Sequence, residues 1–202
     1  MAARLYVLTP DAPGERILEL VAAALRGGAD AIQLRHKTAR RGELLEIARS
    51  LRRLTADALL VVNDHVDIAL LSGADGVHLG ADDMSIESAR RVGGERLLIG
   101  ASASSPAAAR AAVALGADYV GCGPAFSTPN KAGKEVIGPI GVAAVVAAVG
   151  ADVPVFAIGG IDESNVEALI QQGVRRVCVI RAVSDATSPE QAARRLRAML
   201  AG

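Results

Sequence analysis

The sequence contains no tryptophan, two phenylalanines and two tyrosines among its 202 residues. So few rings leave almost nothing on which bases could stack, and a formal net charge of +0 removes the basic surface that a polyanion partner requires. No nucleic-acid partner is expected. Mean hydropathy is +0.33, yet no uninterrupted apolar run approaches the roughly 18 residues of a membrane span. The apolar content is therefore assigned to a packed core, with no membrane partner. The opening Met1-Ala-Ala-Arg-Leu-Tyr-Val-Leu8 enters a strand-like run without an apolar leader and cleavage site, so the expected location is the cytoplasm. The only cysteines, Cys122 and Cys178, each sit inside an apolar strand-like run, which predicts two buried free thiols rather than a disulfide.

What the sequence does have is alternation. Short apolar runs read as buried strands near Leu5–Leu8, Ala31–Arg35, Leu59–Val62, Gly76–Leu79, Leu97–Gly100, Tyr119–Gly123, Val155–Ile158 and Arg176–Ile180. Segments of helical period follow near Glu15–Arg26, Arg41–Thr55, Val66–Leu71, Ser85–Val92, Pro106–Leu115, Gly141–Val149, Glu163–Gln172 and Pro189–Leu200. Gly27, Gly116 and Gly173 are placed as residues that end helices, and Asp162 and Ser188 as residues that cap their starts. Strands apolar on both faces, each followed by a helix, imply a parallel sheet covered by helices. Eight such units, at roughly 25 residues each, predict an α/β fold: one (β/α)₈ TIM-barrel domain over residues 1–202. No Gly-x-Gly-x-x-Gly follows the first strand, which disfavours an open dinucleotide-binding sheet. Gly-Ala-Asp recurs at Gly28–Asp30, Gly73–Asp75 and Gly116–Asp118 and is read as turn chemistry alone.

In such a barrel, chemistry collects where strands end. Gln33, Arg35 and Lys37 alternate along the second strand and share a face; cations facing inward suit an anion. The third strand stops at Asn63-Asp64 and the fourth at Ala81-Asp82-Asp83, so carboxylates on neighbouring strands can share a hard cation such as Mg²⁺. One of Asp82 and Asp83 could instead cap the next helix. Ser102 ends the fifth strand. His36, His65 and His78 share no metal-ligand spacing, and His78 alternates away from the predicted interior. After the sixth strand a long polar loop presents Thr128, Asn130 and Lys131, as a lid over an anionic substrate would. Gly159-Gly160 before a helix, with Ile180-Arg181 ending the last strand, make the usual barrel phosphate site.

Taken together, Gln33-Leu-Arg-His-Lys37, Asn63-Asp64, Gly76-Val-His-Leu-Gly-Ala-Asp-Asp83, Gly100-Ala-Ser102, the run from Gly116 to Thr128 and Ala157-Ile-Gly-Gly160 resemble the thiamine phosphate synthase family. The resemblance extends from the first strand to the last helix. It implies joining an aminopyrimidine methyl diphosphate to a hydroxyethylthiazole phosphate, with Mg²⁺ and release of diphosphate. Carried over by position, it puts Asp64 and Asp83 on the metal. It gives Gln33, Arg35, Lys37, Asn63, Ser102 and Lys131 to the pyrimidine diphosphate, and Thr128, Asn130, Gly160, Ile180 and Arg181 to the thiazole phosphate. Ser102, Lys131 and Arg35 are the expected catalytic groups, neutralising charge on the leaving diphosphate. Three positions depart from the family pattern: Asn130 for Thr, Arg181 for Ser, and Ser104 where His is frequent. The last matters because thiazole tautomerases, a sister family, rely on that histidine. Three other readings stay open: such a tautomerase, a phosphate-binding barrel without turnover, and another phosphate-gripping isomerase. Oligomeric state, a homodimer included, is not legible.

Overall fold

In the computed structural model, residues 3–128, 133 and 135–201 are described. The strands are β1 (Leu5–Leu8), β2 (Ala31–Leu34), β3 (Leu59–Asn63), β4 (Gly76–Leu79), β5 (Leu98–Ala103), β6 (Tyr119–Cys122), β7 (Val155–Ile158) and β8 (Val177–Val179). The helices are α1 (Gly14–Arg26), α2 (Arg41–Leu54), α3 (Val66–Ser72), α4 (Ile86–Gly93), α5 (Pro106–Ala114), α6 (Gly138–Val149), α7 (Val166–Ile170), α8 (Arg181–Ser184) and α9 (Pro189–Met199). The strands pair in sequence order, all parallel, and β8 closes on β1. This is the expected (β/α)₈ barrel. α8, a single turn after β8, had no counterpart in the sequence reading.

Helix punctuation follows local chemistry, with some shifts. Ser85, Ser105 and Ser188 cap α4, α5 and α9 through side-chain oxygens that accept backbone N–H bonds. Ser85 answers the capping question: neither Asp82 nor Asp83 is needed there. Asp162 does not cap a helix directly; its Oδ1 accepts from Ser164 N at 2.9 Å, and α7 begins only at Val166 after that turn. After α1 the left-handed residue is Gly28, φ 91°, not Gly27, which stays right-handed.

The three Gly-Ala-Asp repeats do more than turn the chain. Each aspartate, just before its strand, accepts the N–H of a residue in the preceding strand: Asp30 from Leu5, Asp75 from Leu60, Asp118 from Ile99, at 2.7 to 2.9 Å. Each also holds an arginine from a helix, Arg197, Arg52 and Arg90 respectively. The repeat thus ties two strands and a helix together at the N-terminal end of the barrel, the end that carries stability rather than chemistry.

Apolar cores lie on both sides of the sheet. The largest lies between strands and helices; another fills the barrel itself with Tyr6, Leu8, Ala31, Val61, Tyr119, Phe156 and Cys178. Tyr6, Tyr119 and Phe156 meet edge-on, with centroids 5.4 to 6.1 Å apart. Room for Tyr119 comes from its register neighbour Gly100, where a Cβ would fall 2.1 Å from the tyrosine Cζ. Gly100→Ala should therefore lower the free energy of unfolding by at least the ~1–3 kcal/mol typical of overpacking. Urea denaturation measures this, and unchanged stability would contradict the packing. Both cysteines are buried, and no disulfide joins them. Among the described residues, no helix is long and apolar enough to cross a membrane.

Candidate active site

At the C-terminal ends of the strands, β2 contributes the polar face anticipated for it. Gln33 is buried, and beyond it Arg35 lies at the strand end. The extension past β2 is held by Thr9, a fully buried residue that the sequence reading missed. Its Oγ1 donates to Arg35 O and accepts from Arg35 N, both at 2.9 Å. Asp11 was missed as well; its carboxylate accepts from Lys37 N and lies 3.7 Å from the Arg35 guanidinium. In sequence Thr9-Pro-Asp11 has only the look of a turn, and no local signal marks it as a brace for the next loop.

β3 ends at Asn63, and Asp64 follows with φ 65°, the one non-glycine residue with positive φ among those described. Backbone strain of this kind concentrates at functional sites because the surroundings must hold it. What it achieves here is proximity: the carboxyl groups of Asp64 and Asp83 come within hydrogen-bonding reach of each other. Asp83 is anchored through Oδ2, which accepts from Gly80 N at 2.7 Å. Burial, then the hydrogen bond to Asp83 and its charge, push the Asp64 carboxyl up to about 6, against the opposing pull of Lys37 and Arg35. Two facing carboxylates need a proton or a cation between them, so the pair fits a hard divalent ion that finds its remaining ligands elsewhere. Among the described residues no set of three acidic, His or Cys side chains gathers to hold a metal unaided. A raised pKa in the folded state means that stability is full below the ordinary aspartate range and is lost as pH rises through about 6. Without divalent ions, the midpoint of thermal unfolding should accordingly fall between pH 4 and about 6.5, less so in Asp64→Asn.

Two adjoining cavities open at this mouth. The smaller, about 100 Å³, is lined by Gln33, Arg35, Asn63, His78, Ser102, Tyr119 and Gly121, among others. The larger, about 580 Å³, is lined by Arg35, Phe126, Thr128, Gly159, Gly160, Asn165, Ile180 and Arg181, among others. That volume suits a small organic ligand. Arg35 borders both. Gly160, φ 63°, lies so close to the loop after β6 that a Cβ would stand 2.4 Å from Ser127 O. Asn165, absent from the sequence reading, donates through Nδ2 to Gly160 O at 2.8 Å and fixes that turn.

The structure thus gathers Gln33, Arg35, Asn63 and Ser102 in one cavity, and Thr128, Gly160, Ile180 and Arg181 with Arg35 in the other. Lys37 belongs with the carboxylate pair through its influence on Asp64. Asn130 and Lys131, and with them most of the anticipated lid, lie outside the described residues. His78 requires a correction: it points into the barrel, with Nδ1 3.2 Å from Tyr119 Oη and Nε2 3.0 Å from Ser102 Oγ. Its neighbours Val77 and Leu79 face the helices instead. In a parallel strand both faces are apolar, so alternation in Gly76-Val-His-Leu79 carries no sign of which face is inside.

A parallel barrel whose C-terminal mouth joins a carboxylate pair, a buried amide, a guanidinium and a hydroxyl to a glycine-turned cleft defines a TIM-barrel protein with its polar site where barrel enzymes carry theirs. The chain belongs to the thiamine monophosphate synthase family, whose signature matches residues 5–183. It is 47% identical over 190 residues to the thiamine-phosphate synthase of Gloeobacter violaceus, covering 93% of this chain and 54% of that one. It is 46% identical over 188 residues to that of Salinibacter ruber, covering 91% and 82%. The chain thus spans about half the length of the first relative and most of the second. Among solved structures, thiamine phosphate pyrophosphorylase from Pyrococcus furiosus superposes with a TM-score of 0.89 at 41% identity, covering 98% of this chain and 96% of that one. A 3-hexulose-6-phosphate synthase, at TM-score 0.76 and 20% identity, shares the fold.

Proposed function

We propose that this chain is a thiamine phosphate synthase: it joins 4-amino-2-methyl-5-hydroxymethylpyrimidine diphosphate to hydroxyethylthiazole phosphate, giving thiamine phosphate and diphosphate. The observation that carries this is the meeting of two cavities at Arg35, one lined by Gln33, Asn63 and Ser102 and the other by Thr128, Gly160 and Arg181. Two anionic ligands that must react with each other need such a shared wall. Family membership and the Pyrococcus relative support the same assignment.

In the proposed reaction the C–O bond to diphosphate breaks with its electron pair leaving on oxygen, and the thiazole nitrogen lone pair forms the new C–N bond. The aminopyrimidine can spread positive charge from its methylene carbon, so departure runs ahead of attack. Arg35 and Lys37 neutralise the leaving anion, and the Ser102 hydroxyl donates to it. Lys131 is assigned the same task. Asn63 and Gln33 orient the pyrimidine. Thr128, Asn130, the Gly160 and Ile180 backbone and the Arg181 guanidinium hold the thiazole phosphate, Arg181 with a fork suited to two oxygens. Asp64 and Asp83 are the residues that would hold Mg²⁺, which when bound supplies charge neutralisation for the diphosphate. No general base is required, because the attacking nitrogen carries no proton. That separates the proposal from a tautomerase. The one inward histidine, His78, has both ring nitrogens engaged by Tyr119 and Ser102, and Ser104 is exposed and brings no imidazole.

The test is direct. The protein is mixed with both substrates and Mg²⁺, and diphosphate and thiamine phosphate are measured together. Formation of both in equal amounts is expected. Turnover of either substrate alone to an isomer, or binding without product, would overturn the proposal.

A further inference from the structure

Beneath the smaller cavity runs a chain of hydrogen bonds that crosses the barrel. Gln33 Nε2 donates to Tyr6 Oη at 2.9 Å; Tyr6 Oη lies 3.1 Å from Tyr119 Oη; Tyr119 Oη lies 3.2 Å from His78 Nδ1; and His78 Nε2 lies 3.0 Å from Ser102 Oγ. Five side chains from β1, β2, β4, β5 and β6 are thus strung in one line, and its two ends are residues assigned above to the pyrimidine diphosphate. Both tyrosines are fully buried, and burial holds their hydroxyls well above the usual phenol range, so both keep their protons.

In such a line each hydroxyl has one proton to give, so fixing one end fixes every link. Tyr6 Oη accepts from the Gln33 amide, and its own proton must go to its remaining partner, Tyr119; otherwise a buried O–H is left without an acceptor, at substantial cost. Tyr119 Oη, having accepted from Tyr6, gives its proton to His78 Nδ1. That nitrogen must then be bare. A neutral imidazole with bare Nδ1 carries its proton on Nε2, which donates to Ser102 Oγ. The Ser102 proton is not used by the chain and is available to the cavity.

We infer that Tyr6, Tyr119 and His78 are positioning residues that hold His78 in its Nε2–H form and thereby make the Ser102 hydroxyl a donor toward the ligand. The sign matters for the chemistry proposed above, on which the catalytic half of this inference rests. A hydroxyl stabilises a departing oxyanion only by donating. With the line reversed, Ser102 would spend its proton on His78 Nε2 and turn lone pairs toward the diphosphate. The glycines serve this geometry: Gly100 leaves the space that Tyr119 fills, and a Cβ at Gly121 would lie 3.0 Å from His78 Cε1.

Long-range ¹H–¹⁵N correlation spectra of the substrate-free, ¹⁵N-labelled protein report the tautomer of each imidazole, and with three histidines the His78 signals can be assigned from a His78→Gln sample. The wild type is expected to show pyrrole-type Nε2 and pyridine-type Nδ1. Tyr119→Phe keeps the ring and removes the oxygen; it should bring in the Nδ1–H form and lower kcat on the order of tenfold, a fraction of the loss from deleting the donor outright. KM should change little. In a Ser102→Ala background, Tyr119→Phe should produce no further loss of kcat, because the group it positions is gone. Wild-type His78 in the Nδ1–H form, or a Tyr119→Phe protein with unaltered tautomer and kcat, would overturn the inference. A wild-type protein that releases no diphosphate would instead refute the synthase assignment, and the spectra would still decide the polarity of the line.

Discussion

Ser102→Ala is expected to turn over on the order of 10²–10³-fold more slowly than the wild type, with KM for both substrates nearly unchanged. The magnitude follows from the step at which the hydroxyl acts. In the proposed assignment the cations Arg35 and Lys37 hold the diphosphate oxygens before the C–O bond breaks, so one neutral donor adds little to binding. As the bond breaks, negative charge concentrates on the departing oxygen, and a preplaced O–H gains most there. The fold should tolerate the change. Ser102 is exposed at the mouth, and removing it leaves His78 Nε2 facing the cavity rather than a dry interior. Steady-state assay with both substrates, alongside a urea melt, separates the two effects. Wild-type turnover in a folded variant would remove Ser102 from the reaction.

Asp83→Asn should lower Mg²⁺ affinity at least on the order of 10–100-fold, the range seen even for weaker perturbations of metal sites. Asparagine keeps an oxygen able to accept the Gly80 N–H, so the loop after β4 stays anchored while a formal charge is lost. The same substitution replaces the facing carboxylate, which with burial holds the Asp64 carboxyl up, by an uncharged amide whose N–H can donate to the ionised Asp64. Its effects should therefore have opposite signs: weaker metal binding, but greater stability of the metal-free protein at neutral pH. Calorimetric titration with Mg²⁺ and thermal unfolding in a chelator measure the two. A loss of both would mean that Asp83 serves mainly to support the fold, and retention of full Mg²⁺ affinity would remove it from the metal site.

Much of this site could be anticipated because its residues are polar where a barrel strand ought to be apolar. Gln33 and Arg35 stand out against Ala31, Ile32 and Leu34, and Asn63-Asp64 against Leu59 to Val62, so their convergence follows once the strands are placed in a closed sheet. His78 had no such contrast. Its neighbours are buried against helices while its own half-buried side chain rests against Tyr119, and only the register with Asn63 and Gly100 gives its direction. Thr9, Asp11 and Asn165 act on backbone atoms of other segments, contacts that arise at long range and leave no spacing to read. The Gly-Ala-Asp repeats were visible, but their purpose was not: an aspartate that holds the N–H of the preceding strand looks, in one dimension, like any turn residue. Helix ends moved by a few residues wherever a turn precedes the first helical bond, as at Asp162.

The scarcity of rings has a practical outcome. With no tryptophan in the chain, near-ultraviolet emission comes from Tyr6 and Tyr119 alone, and both lie in the barrel floor, joined to Gln33 on one side and His78 on the other. A ligand that settles on Gln33 or Ser102 is expected to change that emission, because both residues end the line of hydrogen bonds through the two tyrosines. The unlabelled protein therefore carries its own optical probe, set directly under the place where the pyrimidine would rest.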